Sequence, residues 1–352
     1  MARPLITRFS PALTTLHSSL TGQVEGGMPV IPGTPGTIST RRNQAKDAFF
    51  VHRYSDGANK PVERYIGLAT DKGGVERAAR IGRDIEEINA ALADVRILVR
   101  AGYQVADKPS YVTLATLHLH DLFRLGATLI GSHAFGVLTN QLGIRAEGYK
   151  TEDIDVARRE EMALANPVDF LEILKGTGIN FVEVPRLKVQ EPSTSFKEAG
   201  KSRFIVNLLA PSSNDRIGLI PVPELNAHAA TLPYLAYLLG RTQMSLLLGT
   251  QGICPVRVPM PERFAIHKLI VSQLREKRDA KVEKDIYQAS VLLAALAESF
   301  PGAIDEAVME MPLSALSKLK KGLALAKKTW LEPYPDAIEE VTSAIRRLDE
   351  SK

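Results

Sequence analysis

The chain of 352 residues holds one cysteine, Cys254, and one tryptophan, and only 6% of it is aromatic. A single cysteine excludes an intramolecular disulfide and fits a reducing cytoplasm; Cys254 itself reads as a small buried apolar residue. No apolar run approaches the roughly 20 residues needed to cross a bilayer. The N-terminus lacks a signal-peptide pattern, so no membrane association is expected. The phosphate-binding patterns GxxxxGK[ST] and GxGxxG are missing, and no GxSxG elbow marks a serine nucleophile. Neither charge sign dominates: the formal charge of +4 permits an acidic partner such as RNA without demanding one. What remains is an ordinary globular composition, 45% hydrophobic and 24% charged, long enough for one large or two modest domains.

The informative stretch is Gly126 to Arg158, GATLIGSHAFGVLTNQLGIRAEGYKTEDIDVAR. Ala127 to Ile130 is apolar and short, as a buried strand is. Gly131-Ser132 breaks it, and His133 to Leu142 has the composition of a short helix ended by Gly143. A second extended piece carries Asp153-Ile154-Asp155-Val156. Residues two apart in a strand share a face, so both carboxylates project together while Ile154 and Val156 enter the core. Adjacent carboxylates repel, and a divalent cation with a taste for hard oxygen ligands, Mg²⁺ or Mn²⁺, removes that cost. A Gly-Ser turn at a helix start offers backbone N–H groups and a hydroxyl to a phosphate. Together these are the minimum apparatus for nucleotidyl transfer.

Gly131-Ser132 followed by Asp153-x-Asp155 resembles the signature of the DNA polymerase beta-type nucleotidyltransferase superfamily, and within it bacterial nucleotidyltransferase-like proteins related to abortive-infection toxins. A second carrier of the likeness is Pro259 to Ser290, where Lys268 and Lys284-Asp285 match a helical Lys followed by a basic segment and a Lys/Arg-Asp pair. The resemblance implies that Lys268 offsets phosphate charge. Arg275, seven residues on, would share its helical face. Asp285 would orient one of these cations or act as a base. The superfamily's third carboxylate falls in the middle of RFIVNLLAP, where this chain has Asn207. Asn207 reads as part of a two-carboxylate site, as a weakened site, as an engineered change, or simply as a residue satisfying buried backbone groups. His133 either reaches a phosphate or ribose or is an ordinary first-turn residue.

Along the rest of the chain, a short helix is expected within residues 1–20 and a Gly/Pro/Thr-rich loop over Gly22 to Thr40. Phe49 to Thr70 alternates on both sides of Asp56-Gly57-Ala58-Asn59, a hairpin signal. Its aromatic and basic residues, His52, Arg53, Tyr54, Arg64 and Tyr65, form either a wet face or a nucleic-acid contact. Asp71 to Arg100 predicts a long helix capped by Asp71, with Ile81, Ile85, Ile88, Leu92 and Val95 as its apolar stripe. Helices are expected over Thr113 to Leu125, Asn166 to Leu174 and Pro233 to Leu239, and strands over Asn180 to Leu187, Arg203 to Leu209, Ile217 to Pro221 and Cys254 to Val258. Glu191 to Ser202 reads as a loop. From Pro261 the pattern is helical: Pro261 to Lys277, Lys281 to Ser299, Pro312 to Trp330 and Pro335 to Leu348.

The fold expected is α/β (α+β): a small mixed sheet of nucleotidyltransferase type, preceded by a hairpin and helix region over residues 1–110, occupying 111–260, and followed by a helical domain over 261–352. The function implied is a cytoplasmic, metal-dependent nucleotidyltransferase moving a nucleoside monophosphate from an NTP such as ATP to a hydroxyl or RNA end. Its site would comprise Asp153, Asp155, Asn207, Lys268 and Asp285 for chemistry. Gly131, Ser132, His133, Lys268 and Arg275 would hold the nucleotide, and Asp153 and Asp155 the metal. The resemblance adds a toxin role, with tRNA or a protein as acceptor and an antitoxin as partner. The alternative is a nucleotide- or nucleic-acid-binding module of the same fold with lost or weakened catalysis.

Overall fold

The structure is a computed structural model that describes residues 4–147, 151–186, 191–200, 202–213, 216–276 and 280–350. Leu187 and Lys277, the ends of two expected elements, lie outside those residues. The chain opens with β1 (Thr7–Arg8) and α1 (Pro11–Glu25). A three-stranded antiparallel sheet follows, β2 (Thr37–Arg42), β3 (Ala48–Ser55) and β4 (Pro61–Leu68), with β3 in the middle. So the stretch expected to be loop over Gly22 to Thr40 starts inside a helix and ends inside a strand.

α2 (Lys72–Ala101) starts where its cap predicts, with the Asp71 side chain accepting from the N–H of Gly74. It ends at Gly102, whose φ of 107° is the left-handed conformation that favours glycine. Ile85, Ile88, Leu92 and Val95 are buried along it. α3 (Lys108–Leu119) begins five residues earlier than the expected Thr113, because Asp107 caps it through the N–H of Ser110 and Pro109 suits its first turn. It stops before Leu125, at His120 and the positive-φ Asp121.

The central sheet is built from β5 (Thr128–Ile130), β7 (Asp153–Ala157), β8 (Phe181–Glu183), β9 (Ser195–Glu198), β10 (Ile205–Pro211), β11 (Gly218–Val222) and β12 (Ala227–Leu232). Its main path runs β11-β12-β10-β7-β5, with β9 on β10 and β8 outside it. α4 (Gly131–Gln141) leads from β5 to the short β6 (Ile144–Arg145), and α5 (Phe170–Lys175) precedes β8. β7 and β10 are parallel, β5 antiparallel to β7. The sheet is therefore mixed, as the sequence suggests, but larger than expected. β9 falls in the supposed loop, where the single buried residue of Ser-Phe-Lys-Glu, Phe196, leaves too short an alternation to read. α5 is shorter than the Asn166 to Leu174 prediction: Asp169 caps it, so Pro167 lies outside its first turn.

α6 (Leu235–Leu238) leads to the hairpin β13 (Thr242–Leu248) and β14 (Ile253–Pro259). In β13 the alternation divides two cores: Leu247 joins the main core, while Leu246 and Leu248 face Leu20, Ile88, Leu92 and Leu98 of α1 and α2. The remaining helices are α7 (Pro261–Ser272), α8 (Ala280–Ser299), α9 (Ala303–Met309), α10 (Leu316–Ala326) and α11 (Pro335–Glu350). They share the main core with the sheet, from Leu5 through Val156 and Leu208 to Leu348. None of the described helices is long and apolar enough to cross a membrane.

Candidate active site

Strand alternation builds the centre of the site. In β7, Ile154 and Val156 are 0% and 1% exposed, which turns Asp153 and Asp155 together to the other face. β10 runs parallel beside it in a register that sets Asn207 opposite Asp155. The Asn207 amide Nδ2 donates to Asp155 Oδ1 at 2.9 Å, and its Oδ1 accepts from the Ser195 hydroxyl on β9 at 2.7 Å. On the opposite side of β7, Ile130 pairs with Asp155, so the chain leaves β5 right beside that carboxylate. Gly131 turns there with φ of 69°, and a Cβ on it would meet Asp155 Oδ2 at 2.4 Å. Both backbone conformation and space require glycine at this position. The first turn of α4 then leaves N–H groups without intrahelical partners next to an acidic pair.

Ser132, His133 and Asp153 line a cleft of about 960 Å³, with Arg203 and Lys284 contributing positive charge to it. Gln104 to Asp107 also line it. Buried Asn140 holds that segment, accepting from the Gln104 N–H and donating to the Gln104 carbonyl, both at 2.8 Å. Burial raises the Asp155 carboxyl above its ordinary value, against the Asn207 hydrogen bond and the charge of Lys268, both of which lower it. Burial also lowers the Lys284 ammonium, and Lys268 pushes the same way, while Asp153, Asp285 and Asp155 oppose.

The downstream segment is arranged differently from the sequence expectation. α7 ends at Ser272, so Arg275 does not continue the helical face of Lys268. Instead both cations converge on Asp285 from α8: Lys268 Nζ to Oδ1 and Arg275 Nε to Oδ2, each at 2.6 Å. Burial would raise the Asp285 carboxyl, but Lys268 and Arg275 outweigh it and hold it below the usual range. With each oxygen accepting from a cation, Asp285 orients them and is poorly placed as a base. Neither Arg275 nor Lys268 lines the cleft; Lys284, the residue before Asp285, does. Lys284 and Arg203 are cleft residues to which the sequence reading gave no role. The spacing of Lys284 to Asp285 was visible, but which of the two would face the Asp pair depends on how α8 packs.

A cation fits the centre. Among the described residues no group of three or more His, Cys, Asp or Glu stands ready as a complete cage. A metal here would take the two carboxylates and fill its shell from water and phosphate oxygens, which is how Mg²⁺ commonly binds. The donor set, two carboxylates on one face of β7, is of the hard-oxygen kind that such an ion favours.

His133 follows Gly131-Ser132 into the cleft, and its Nε2 is buried with no hydrogen-bond partner among the described residues. Burial lowers it to about 4. Two other buried histidines behave alike: His17, stacked on Tyr103 at 5.5 Å, is lowered to about 4 and His267 to about 3, in both cases chiefly by burial. All three are neutral in the folded protein at pH 7, and their unfolded counterparts charge as pH falls through 6.5. Stability is therefore full above that value and drains away as pH falls from 6.5 toward 4 for His17 and His133 and toward 3 for His267. At pH 5 the loss is at most on the order of 2 kcal/mol for each histidine. Urea midpoints measured at pH 7 and pH 5 check this; an unchanged midpoint would show that these rings are solvated.

A family model described as Nucleotidyltransferase matches residues 113–313, more than half of the chain. The chain belongs to that nucleotidyltransferase family. The match runs from α3 through α9, so it contains the Gly131-Ser132 turn, the Asp pair, Asn207, Lys268 and Asp285. No curated protein matches the chain. Among solved structures, an antigenic nucleotidyltransferase-like protein from Paracoccidioides brasiliensis is similar to it at 16% identity, over 66% of this chain and 89% of that one. The TM-score of 0.36 is too low for the likeness to carry any argument. Membership of a nucleotidyltransferase family supports transferase activity in general; the roles of single residues rest on the geometry above.

Proposed function

We propose that the protein is a metal-dependent nucleotidyltransferase that moves a nucleoside monophosphate from an NTP to a hydroxyl, with an RNA end as the leading acceptor. One observation carries the reading: Ser132 at an anion-binding helix start and the Asp153 carboxylate line one cleft, and the Gly131 turn packs against Asp155, the second carboxylate of the same strand face. When bound, Mg²⁺ supplies charge neutralisation for the triphosphate and acidifies the attacking hydroxyl. The chain's own contribution is positioning. Ser132 and the first-turn N–H groups of α4 hold phosphate oxygens, together with Lys284 and Arg203, which line the same cleft. Asn207 fixes the rotamer of Asp155 through its amide. Lys268, braced by Asp285, adds positive potential at Asp155.

The decisive experiment is incubation with each labelled NTP, Mg²⁺ and a panel of acceptors, with pyrophosphate release as the readout. Label on total RNA or total protein identifies the acceptor class, and the same panel tests the toxin reading. Nucleotide affinity without pyrophosphate under every condition would leave a binding module of this fold. Lys284 is half-buried at the cleft, so Lys284→Ala is expected to raise KM for the NTP about tenfold, the loss of roughly one charge-assisted hydrogen bond. Steady-state kinetics at fixed acceptor concentration check it. An unchanged KM would remove Lys284 from the phosphate site.

A further inference from the structure

The β2-β3-β4 sheet packs one face on α2 and leaves most of the other exposed, with Val51, 4% exposed, buried at its centre. Its helix side is closed by α2: Gly67 lies so near Gly74 that a Cβ on it would meet the Gly74 Cα at 2.7 Å, and Ile38 reaches Gly82. Arg77 Nε completes that side on the Ile66 carbonyl at 3.0 Å. His52 belongs to the packed part of the sheet as well, buried and bonded through Nε2 to the Pro35 carbonyl at 2.7 Å, so it is no ligand contact.

The opposite face is set by register. Thr37, Arg53 and Glu63 form one row, and Ser39, Val51 and Tyr65 the next, with Arg41 opposite Phe49 beyond them. Arg41 reaches from the β2 edge across the middle strand to Glu63 on β4 at 2.6 Å, and Arg53 meets the same carboxylate at 2.9 Å. One carboxylate thus gathers two guanidiniums and leaves a surplus positive charge. Beside them Tyr65 is 60% exposed, its ring 5.7 Å from that of Phe49. Lys46 is exposed in the turn between β2 and β3, while Arg42 and Arg64, also exposed, alternate to the helix side of the sheet by register. An aromatic pair with guanidiniums gathered at its side is the chemistry that stacks a base and holds the neighbouring phosphates.

The position of this face supports a role beside the cleft. The hairpin tip bonds through the Gly57 N–H to the Thr177 carbonyl at 2.9 Å, and Asn59 accepts from Lys108 Nζ at 2.7 Å. Lys108 follows Asp107, which lines the cleft. We infer that the open face of the β2-β3-β4 sheet is a docking platform for a single-stranded RNA segment, with Tyr65 and Phe49 stacking a base and Arg41 and Arg53 holding phosphates. The choice of RNA rests on the RNA-acceptor reading given above; the stacking and charge chemistry does not.

The test is fluorescence anisotropy of a labelled single-stranded RNA oligonucleotide on the full chain, without NTP and with a chelator, so that binding is read apart from transfer. Tyr65→Ala is expected to weaken binding about tenfold or more, and Tyr65→Phe to retain it. Arg41→Ala with Arg53→Ala should weaken binding and flatten its salt dependence. Glu63→Gln, which releases both guanidiniums, should tighten it severalfold. Asp155→Ala should bind RNA as the parent does, so a failed transferase reading and a failed platform are told apart. The inference is overturned if the parent chain does not bind the RNA, or if Tyr65→Ala binds as the parent does. Tighter binding of single-stranded DNA of the same sequence, or capture of an acidic peptide in its place, overturns it too.

Discussion

Asp155→Ala is expected to lower nucleotidyl transfer by a factor of 10³ or more while leaving the fold in place. The carboxylate has the Gly131 turn on one side and the Asn207 amide on the other, and it is the member of the pair that burial disfavours in its charged form. Removing it takes away half of the paired negative charge that a divalent ion requires; loss of such electrostatic preorganisation at a transferring phosphoryl group is worth several kcal/mol. Stability should move the other way or not at all. A half-buried carboxylate next to Asp153 costs free energy to hold, so its loss relieves repulsion even as one hydrogen bond to Asn207 disappears. The measurement is single-turnover pyrophosphate release beside a urea unfolding curve. Transfer within tenfold of the parent would separate Asp155 from the chemistry. A collapse of the unfolding midpoint would make it a structural residue.

The network around Asp155 also specifies how Asn207 acts. Because Ser195 donates to the Asn207 Oδ1, the amide presents its N–H to Asp155 and its oxygen away from it. In this arrangement Asn207 is a donor that fixes a carboxylate, and its side chain lies at the site, as strand alternation in RFIVNLL predicts.

What the sequence made legible follows from the range of each signal. The Asp153-x-Asp155 face, the Gly131 break and the Asp71 cap each need only a few consecutive residues, and all three are found where the local rules put them. β12 and β13 escaped notice because Ala-His-Ala-Ala-Thr-Leu is made of small residues and Thr-Gln-Met-Ser begins polar. Their strand character comes from neighbours, β10 and β11 for the first and β14 for the second. The Lys268 and Arg275 pairing failed for a different reason. A spacing of seven implies a shared face only while the helix lasts, and α7 stops at Ser272. The convergence of both cations on Asp285 is a tertiary fact, settled by the packing of α8 on α7. The same holds for the cleft wall that Asn140 fastens at Gln104, 36 residues away in sequence.

Asp285→Ala is expected to be the most destabilising single change near the site, by about 3 kcal/mol or more. The Asp285 side chain is 3% exposed and Lys268 12%, so the substitution strands a buried ammonium that lies over the Phe264 ring at 5.3 Å. That ring offers some compensation but no hydrogen-bond acceptor. Arg275, at 32%, can turn to solvent, which concentrates the penalty on Lys268. Replacing both partners removes the stranded charge, so Asp285→Ala combined with Lys268→Met should recover a large part of the loss. The pH dependence gives an independent reading. The Asp285 carboxyl lies below its ordinary value of 3.8, so its stabilisation is complete above that value and is lost only as pH falls beneath it. His267, lowered to about 3, still contributes below 3.8, so the Asp285 effect is read as the difference between variant and parent at each pH. Urea unfolding of the parent and of the single and double variants at pH 7, repeated below pH 3.8, measures both. Equal stability of Asp285→Ala and the parent at pH 7 would mean that water satisfies Lys268 as well as the carboxylate does, and the brace would then have no bearing on how Lys268 is held near Asp155.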